Sequence, residues 1–343
     1  MTKTKLWFYF GLAIMCFALS VNTAASQTLE WSPNEEYDLG QDPSVAVHPS
    51  GLVLEGHRTQ GGNTLWYHLG MLNGTSVTWG GSQRLSPTSG LQNWPNVAIS
   101  KEGYVIFVYS IGLFKAQGDL YYAVGKIDPY GGTDQSITWL TNTEVNGTYI
   151  DRGFHSSIAI NDSGVILLVF ESGTGGNGLY YRVGHLSNPA AGDYTIKWDS
   201  GKYGTHYDAG INPHIALNNL NEVVEVHQVS DNDHLLHYRR GNVSGGTISF
   251  GGSQRYDSNA STPAVSLLDS GLVVELHQSG EQRVMYARTG TLSASNLERI
   301  EWFDSVNIGL KWVEDPAVAS NGSYAIGTWQ YGVRLVYSVA ALP

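Results

Sequence analysis

Short apolar runs rich in Val, Ile, Leu and Tyr recur from about residue 40 to the C-terminus, each cut off by Gly, Asn, Asp or Ser. Between Tyr207 and Asp257 four of them follow one another: PHIAL (213–217), VVEVHQ (223–228), LLHYRRG (235–241) and TISF (247–250). Runs of this length, β-branched and aromatic and bounded by turn residues, predict the strands of an antiparallel meander.

The same four-strand phrase fills the rest of the chain. Its first strand is PSVAV (43–47), PNVAI (95–99), SSIAI (156–160), PHIAL (213–217), PAVSL (263–267) and PAVAS (316–320), with starts 52, 61, 57, 50 and 53 residues apart. The second strands end in LEGH, IFVY, LLVF, VEVH, VELH and IGTW. The third strands carry Tyr67, Tyr122, Tyr181, Tyr238, Tyr286 and Tyr337, read as one column. The fourth carry Trp79, Trp139, Trp198, Phe250 and Trp302. A fixed period of this size signals a repeat architecture.

The last unit ends at the C-terminus after its third strand. Its missing strand lies at the other end, where LEWSPNEEYD (29–38) aligns without a gap on ISFGGSQRYD (248–257) and puts Trp31 in the aromatic column. An open solenoid needs a cap at each end, whereas a circle closed by the opposite terminus removes its exposed edges. The expectation is an all-β fold: a six-bladed β-propeller, four antiparallel strands per blade, the last blade closed by the N-terminal strand. It forms one domain over 27–343, with blades at approximately 39–85, 86–147, 148–202, 203–255, 256–303, and 304–343 plus 27–38. The Pro-x-Val-Ala strand is then innermost. Its Ala46, Ala98, Ala159, Ala216 and Ala317 suit the crowded axis, while the Tyr and Trp columns fill the widening gaps between blades.

Residues 1–26 read as a signal peptide. Lys3 and Lys5 precede an apolar core from Leu6 to Val21, and Ala24-Ala25-Ser26 is a small-residue cleavage site. The single Cys16 lies inside this segment, so the mature chain has no disulfide. A secreted protein, extracellular or periplasmic, is expected, without a membrane span and monomeric. The net charge of −11 argues against a nucleic-acid partner and against anionic membranes.

The loops after the second strand and before the next first strand share one face. There Asp38/Gly40, Asp151/Gly153 and Asp208/Gly210 form an Asp-x-Gly phrase, with Asp257 in a variant lacking the Gly. Ordinary turn chemistry, with Gly at positive φ, accounts for it. The second strands of three units end in Glu-x-His: Glu55/His57, Glu225/His227 and Glu275/His277. Alternate residues of a strand share a face, so each carboxylate points the same way as its imidazole. Two readings stand side by side. One is a buried staple between strands; the other is a repeated sugar-sized pocket walled by aromatics. The ligand-binding set of the second reading is Glu55, His57, Arg58, Trp66, Glu225, His227, Gln228, Glu275, His277, Gln278, Trp329 and Gln330. Rings stack on sugar CH faces while amide, guanidinium and carboxylate groups bond the hydroxyls.

No phosphate-binding loop, nucleophile elbow, zincin helix or Ser-x-Asp-x-Gly-x-Thr-Trp sialidase box is present. No cofactor is called for, and no metal, because Glu55 and His57 alone are too few ligands. His57 with Tyr67, or His227 with Tyr238, could act as base and acid. In repeat number, repeat length and terminal closure the chain resembles the six-bladed propeller lectins of the fungal fucose-binding and tectonin types. That resemblance implies sugars held in pockets between or on top of blades. The expected function is thus a secreted lectin binding glycans at several top-face pockets. The alternatives are a polysaccharide lyase or glycosidase-like enzyme using one His/Tyr or carboxylate pocket, and a protein-binding propeller.

Overall fold

A computed structural model describes residues 28–62, 64–85, 92–112, 118–141, 148–173, 176–199 and 203–343; the signal peptide expected at 1–26 lies outside them. Apart from a single 3-10 turn at Pro189–Ala191, their regular structure is all strand. The expected meander is present. In the first unit Gln41–Val47 pairs with Leu52–Arg58, that strand with Leu65–Asn73, and the third with Ser76–Trp79. The turn between first and second strands needs a left-handed residue, and Gly51, Gly103, Gly164, Gly271 and Gly322 supply it at φ of 79° to 91°. Asn221 takes that place in the fourth unit at φ 62°.

The outer strand is broken in two. Gln83–Arg84 continues from Ser76–Trp79 and pairs with the same third strand; Gln254–Asp257 does so after Thr247–Phe250, and Val306–Asn307 after Ile300–Trp302. In the second unit the continuation runs straight on. Thr148–Ile160 is one strand of 13 residues whose first part pairs with Asp119–Lys126 and whose second part pairs with Ile166–Ser172. Two units are thereby fused into a nine-stranded sheet, leaving four self-contained blade-like sheets rather than six separate ones.

The chain closes on itself as expected. Glu35–Leu39 pairs with Arg334–Ala341, and Trp31 bridges to Ala340. The first strands stand side by side in a ring: 41–47, 92–99, 148–160, 211–217, 260–267 and 313–320, the last packing against the first. A propeller-like arrangement of sheets around an axis results.

The aromatic columns do what the wedge geometry asks. The backbone amides of Ile137, Ile196, Ile248, Ile300 and Val77 donate to the hydroxyls of Tyr67, Tyr122, Tyr181, Tyr238 and Tyr337, each on the preceding unit. Tyr286 does not belong to that column. It pairs with His277, while Ala287 holds the register that Tyr238 holds elsewhere. The fully buried Trp329 joins Ala287 in one apolar cluster and fills the space. Opposite Trp79, Trp139, Trp198, Phe250 and Trp302 stand Gly70, Gly125, Gly184, Gly241 and Gly290. A Cβ on Gly70 would come within 2.8 Å of the Trp79 ring, so the large residue on one strand dictates the absent side chain on the other.

Candidate functional site

The Glu-x-His pairs are buried between units. Glu55, Glu225 and Glu275 are all 0 % exposed, and their histidines nearly so. In the fourth unit His227 Nδ1 bonds Glu225 at 3.0 Å, and Tyr207 donates its hydroxyl to the same carboxylate at 2.9 Å. The other ring nitrogen of His227 lies 3.6 Å from Asp208, which Arg239 clasps at 2.6 Å. The fifth unit repeats the constellation with Tyr256, Glu275, His277, Asp257 and Arg288. The first unit has Tyr37, Glu55, His57 and Asp38, with His68 where the others have Arg.

Tyr and Asp come from the outer strand of one unit; Glu, His and the cation come from the next. Each network therefore pins neighbouring sheets together. Burial, then the charge of Glu225, pushes the Tyr207 hydroxyl well above its ordinary value, so it stays a donor. Burial works against charge on His227, but Glu225 and Asp208 together outweigh it and hold the imidazole above its usual range. In the fourth and fifth units Tyr, Glu and His satisfy one another and are buried, which favours the staple over the sugar pocket. The Asp-x-Gly glycines serve the same packing. None of Gly40, Gly153 and Gly210 has positive φ. A Cβ there would instead sit 2.7 Å from His57, 2.5 Å from Phe170 and 2.6 Å from His227.

Trp329 is enclosed in the core, and Trp66 is half-buried opposite His57. The remaining expected residues turn toward the axis. Arg58 pairs with Asp42 at 2.8 Å and donates to Asn93 at 3.0 Å. Gln228 accepts the backbone amide of Thr262 at 3.3 Å, and Gln330 donates to the carbonyl of Gly332 at 2.8 Å and reaches Glu314. Gln278, 7 % exposed, occupies the equivalent place at the end of its strand.

What these side chains support is a ring that the sequence reading missed. Asp42, Trp94, His155, Asn212, Thr262 and Asp315 all have φ between 42° and 53°, in the left-handed region. Each sits where the first strand of a unit bulges, between paired positions such as Gln41/Ser44 and Glu314/Ala317. Five precede a proline and His155 precedes Ser156. A left-handed conformation in residues that are not Gly is costly, most of all for β-branched Thr262, and such strain clusters at functional sites. Bulges next to active sites serve to re-aim side chains. Here they aim the six residues into the mouth of the central channel, a cup of about 570 Å³ including its open part.

Two groups in this cup carry chemistry. Asp42 and Asp315 meet where the ring of strands closes, both lining the cup. Burial, then the charge of Asp42, pushes Asp315 up to about 8, so one proton stays on the pair at neutral pH. Toward the third unit, His155 Nδ1 bonds Glu171 at 2.6 Å, and Glu171 also accepts the Asn212 amide at 2.7 Å. That fixes the ring of His155 and leaves its other nitrogen for the cup. Trp94 packs edge-on against His155 at 4.3 Å and forms an aromatic wall. His214 lies beneath; burial lowers it to about 4, so it is neutral, accepting the Val265 amide at 3.2 Å. A held proton, an oriented imidazole and a ring face make a site for acid–base chemistry on a neutral, hydroxylated substrate. The signal for it was the variable column just before the repeated proline.

No protein-family model and no curated protein sequence matches the chain. Solved structures match its fold. A protein of unknown function from Dyadobacter fermentans is similar at TM-score 0.60 and 11% identity, over 92% of this chain and 99% of that one. An intramolecular trans-sialidase from Ruminococcus gnavus is similar at TM-score 0.57 and 8% identity, covering 88% and 94%. An alpha-L-arabinanase from Penicillium chrysogenum is similar at 0.53 and 12%, covering 92% and 98%. These two neighbours carry the names of an arabinanase and a trans-sialidase, not of the lectins of the expected resemblance.

Proposed function

We propose that the chain is a glycan-cleaving enzyme whose active site is the cup at the mouth of the central channel. In this reading Asp315 is the general acid. Burial and then the charge of Asp42 keep it protonated, and Arg58 holds Asp42 in place. The proton passes to the leaving glycosidic oxygen as the bond to it breaks. His155, oriented by Glu171, takes a proton from the attacking water, and Trp94 receives the apolar face of a sugar ring. The observation that carries the reading is the proton-sharing pair Asp42–Asp315, set at the axis by two left-handed residues at the seam of the ring. The activities named for the arabinanase and trans-sialidase neighbours support a glycan substrate.

The same reading takes the chain as six four-stranded units with the boundaries given above, the nine-stranded sheet being two units joined through Thr148–Ile160. Six bulges at equivalent places and six strands in the ring support that count. Export and a monomeric state belong to the proposal as well. The experiment is incubation of catalytic amounts of the protein with arabinan, arabino-oligosaccharides and sialylated oligosaccharides, followed by product analysis. Turnover that disappears in His155→Ala supports the enzyme. Binding of intact sugar with no product would favour the lectin instead.

A further inference from the structure

We propose that Asp38, His57 and His68 form a binding site for a divalent transition-metal ion such as Zn²⁺, peculiar to the first unit. In this unit the three residues bring one carboxylate oxygen and two imidazole nitrogens within 4.8 Å of one another. His68 Nε2 is 2.6 Å from Asp38 and His57 Nε2 is 3.7 Å from it. The opposite nitrogen of each ring is already committed. His57 Nδ1 bonds the Glu55 carboxylate at 3.0 Å, and His68 Nδ1 bonds the carbonyl oxygen of Gly80 at 2.9 Å. Those partners only accept, so both Nδ1 atoms carry hydrogen, and in the neutral rings both Nε2 atoms present lone pairs. Outer partners of this kind fix the tautomer in metal-ligating histidines.

The sister units show what is missing here. At the register of His68 they place Arg239 and Arg288, whose guanidinium groups neutralise Asp208 and Asp257 at 2.6 and 2.8 Å. The third unit keeps Arg182 beside Asp151 although its histidine is replaced by Phe170. With both rings neutral the first unit presents three converging acceptors and no arginine at the register of His68. A metal ion, displacing the proton that His68 Nε2 shares with Asp38, supplies the cation. Two imidazoles and a carboxylate are a borderline-soft donor set that suits Zn²⁺. The Asp38 side chain is 27% exposed, which leaves water access to a further coordination position.

The test uses the full mature protein, freed of metal by a chelator and titrated with ZnCl₂ by calorimetry. The expected result is one Zn²⁺ per chain, a rise in melting temperature with Zn²⁺, and visible absorption bands when Co²⁺ is used instead. His68→Arg, which rebuilds the sister network, is expected to lose binding and both signals. If that variant does not fold, Asp38→Asn is read in the same way. Absence of Zn²⁺ binding in the wild type, or equal binding in the folded variant, overturns the proposal. The proton on His68 would then stand in for the arginine. The outcome is independent of the reading of the central cup, whose residues are not altered.

Discussion

Asp42 and Asp315 stand at the two ends of the ring of inner strands and face the same cup where it closes. Each holds a left-handed backbone just before a proline, at φ 53° and 48°. Two carboxylates this close cannot both ionise easily. The closure of the propeller thus places a retained proton on its axis.

That proton makes stability depend on pH. The Asp315 carboxyl goes from 3.8, the ordinary value, to about 8 on folding. Between these limits the folded chain holds a proton that the unfolded chain has released, so stability falls as pH rises through the window. Melting temperatures at pH 5 and pH 8 are expected to drop more for the wild type than for Asp315→Asn. Parallel behaviour of the two proteins would refute the shared proton.

Thr262 is the β-branched member of the strained ring, at φ 45°. Asn tolerates this conformation far better, and Asn212 already occupies the equivalent place. Thr262→Asn should raise stability by about 1 kcal/mol, seen as a higher denaturant midpoint with unchanged slope. A lower midpoint would show that the strain is not where the backbone places it.

The staple makes a different demand. Removing the imidazole in His227→Ala leaves Glu225, 0 % exposed, with only the Tyr207 hydroxyl. Stripping one partner from a buried charged pair costs about 3–5 kcal/mol, so melting should fall steeply. A variant that melts like the wild type but loses sugar binding would restore the pocket reading of the Glu-x-His pairs.

Much of the architecture was legible because it is written in columns. Period-two apolar runs marked the strands, and Trp31 marked the terminal closure, since a ring needs its partner strand. Tyr286 misled because a neighbouring tyrosine copied the residue type but not the face; one step along a strand reverses its side. The nine-stranded sheet was not legible, because continuity through Gly153 depends on backbone geometry that its neighbours do not announce. Glu55 and His57 stand out in the sequence but fit two readings there, since polarity at a strand end does not tell burial from exposure. Asp42 and Asp315 lie 273 residues apart in sequence, and nothing local links them. Their meeting follows only from closing the ring. His68 does not stand out in the sequence, because only the strand register aligns it with Arg239 and Arg288.

The most direct test of the glycan-cleaving reading is the turnover of a glycan found to be cleaved, measured with the wild type and with Asp315→Asn at pH 6. General acid catalysis contributes roughly 10²- to 10⁴-fold, and the variant should lose about that much in kcat while its circular dichroism and melting stay native. Undiminished turnover in a folded Asp315→Asn protein would contradict the account.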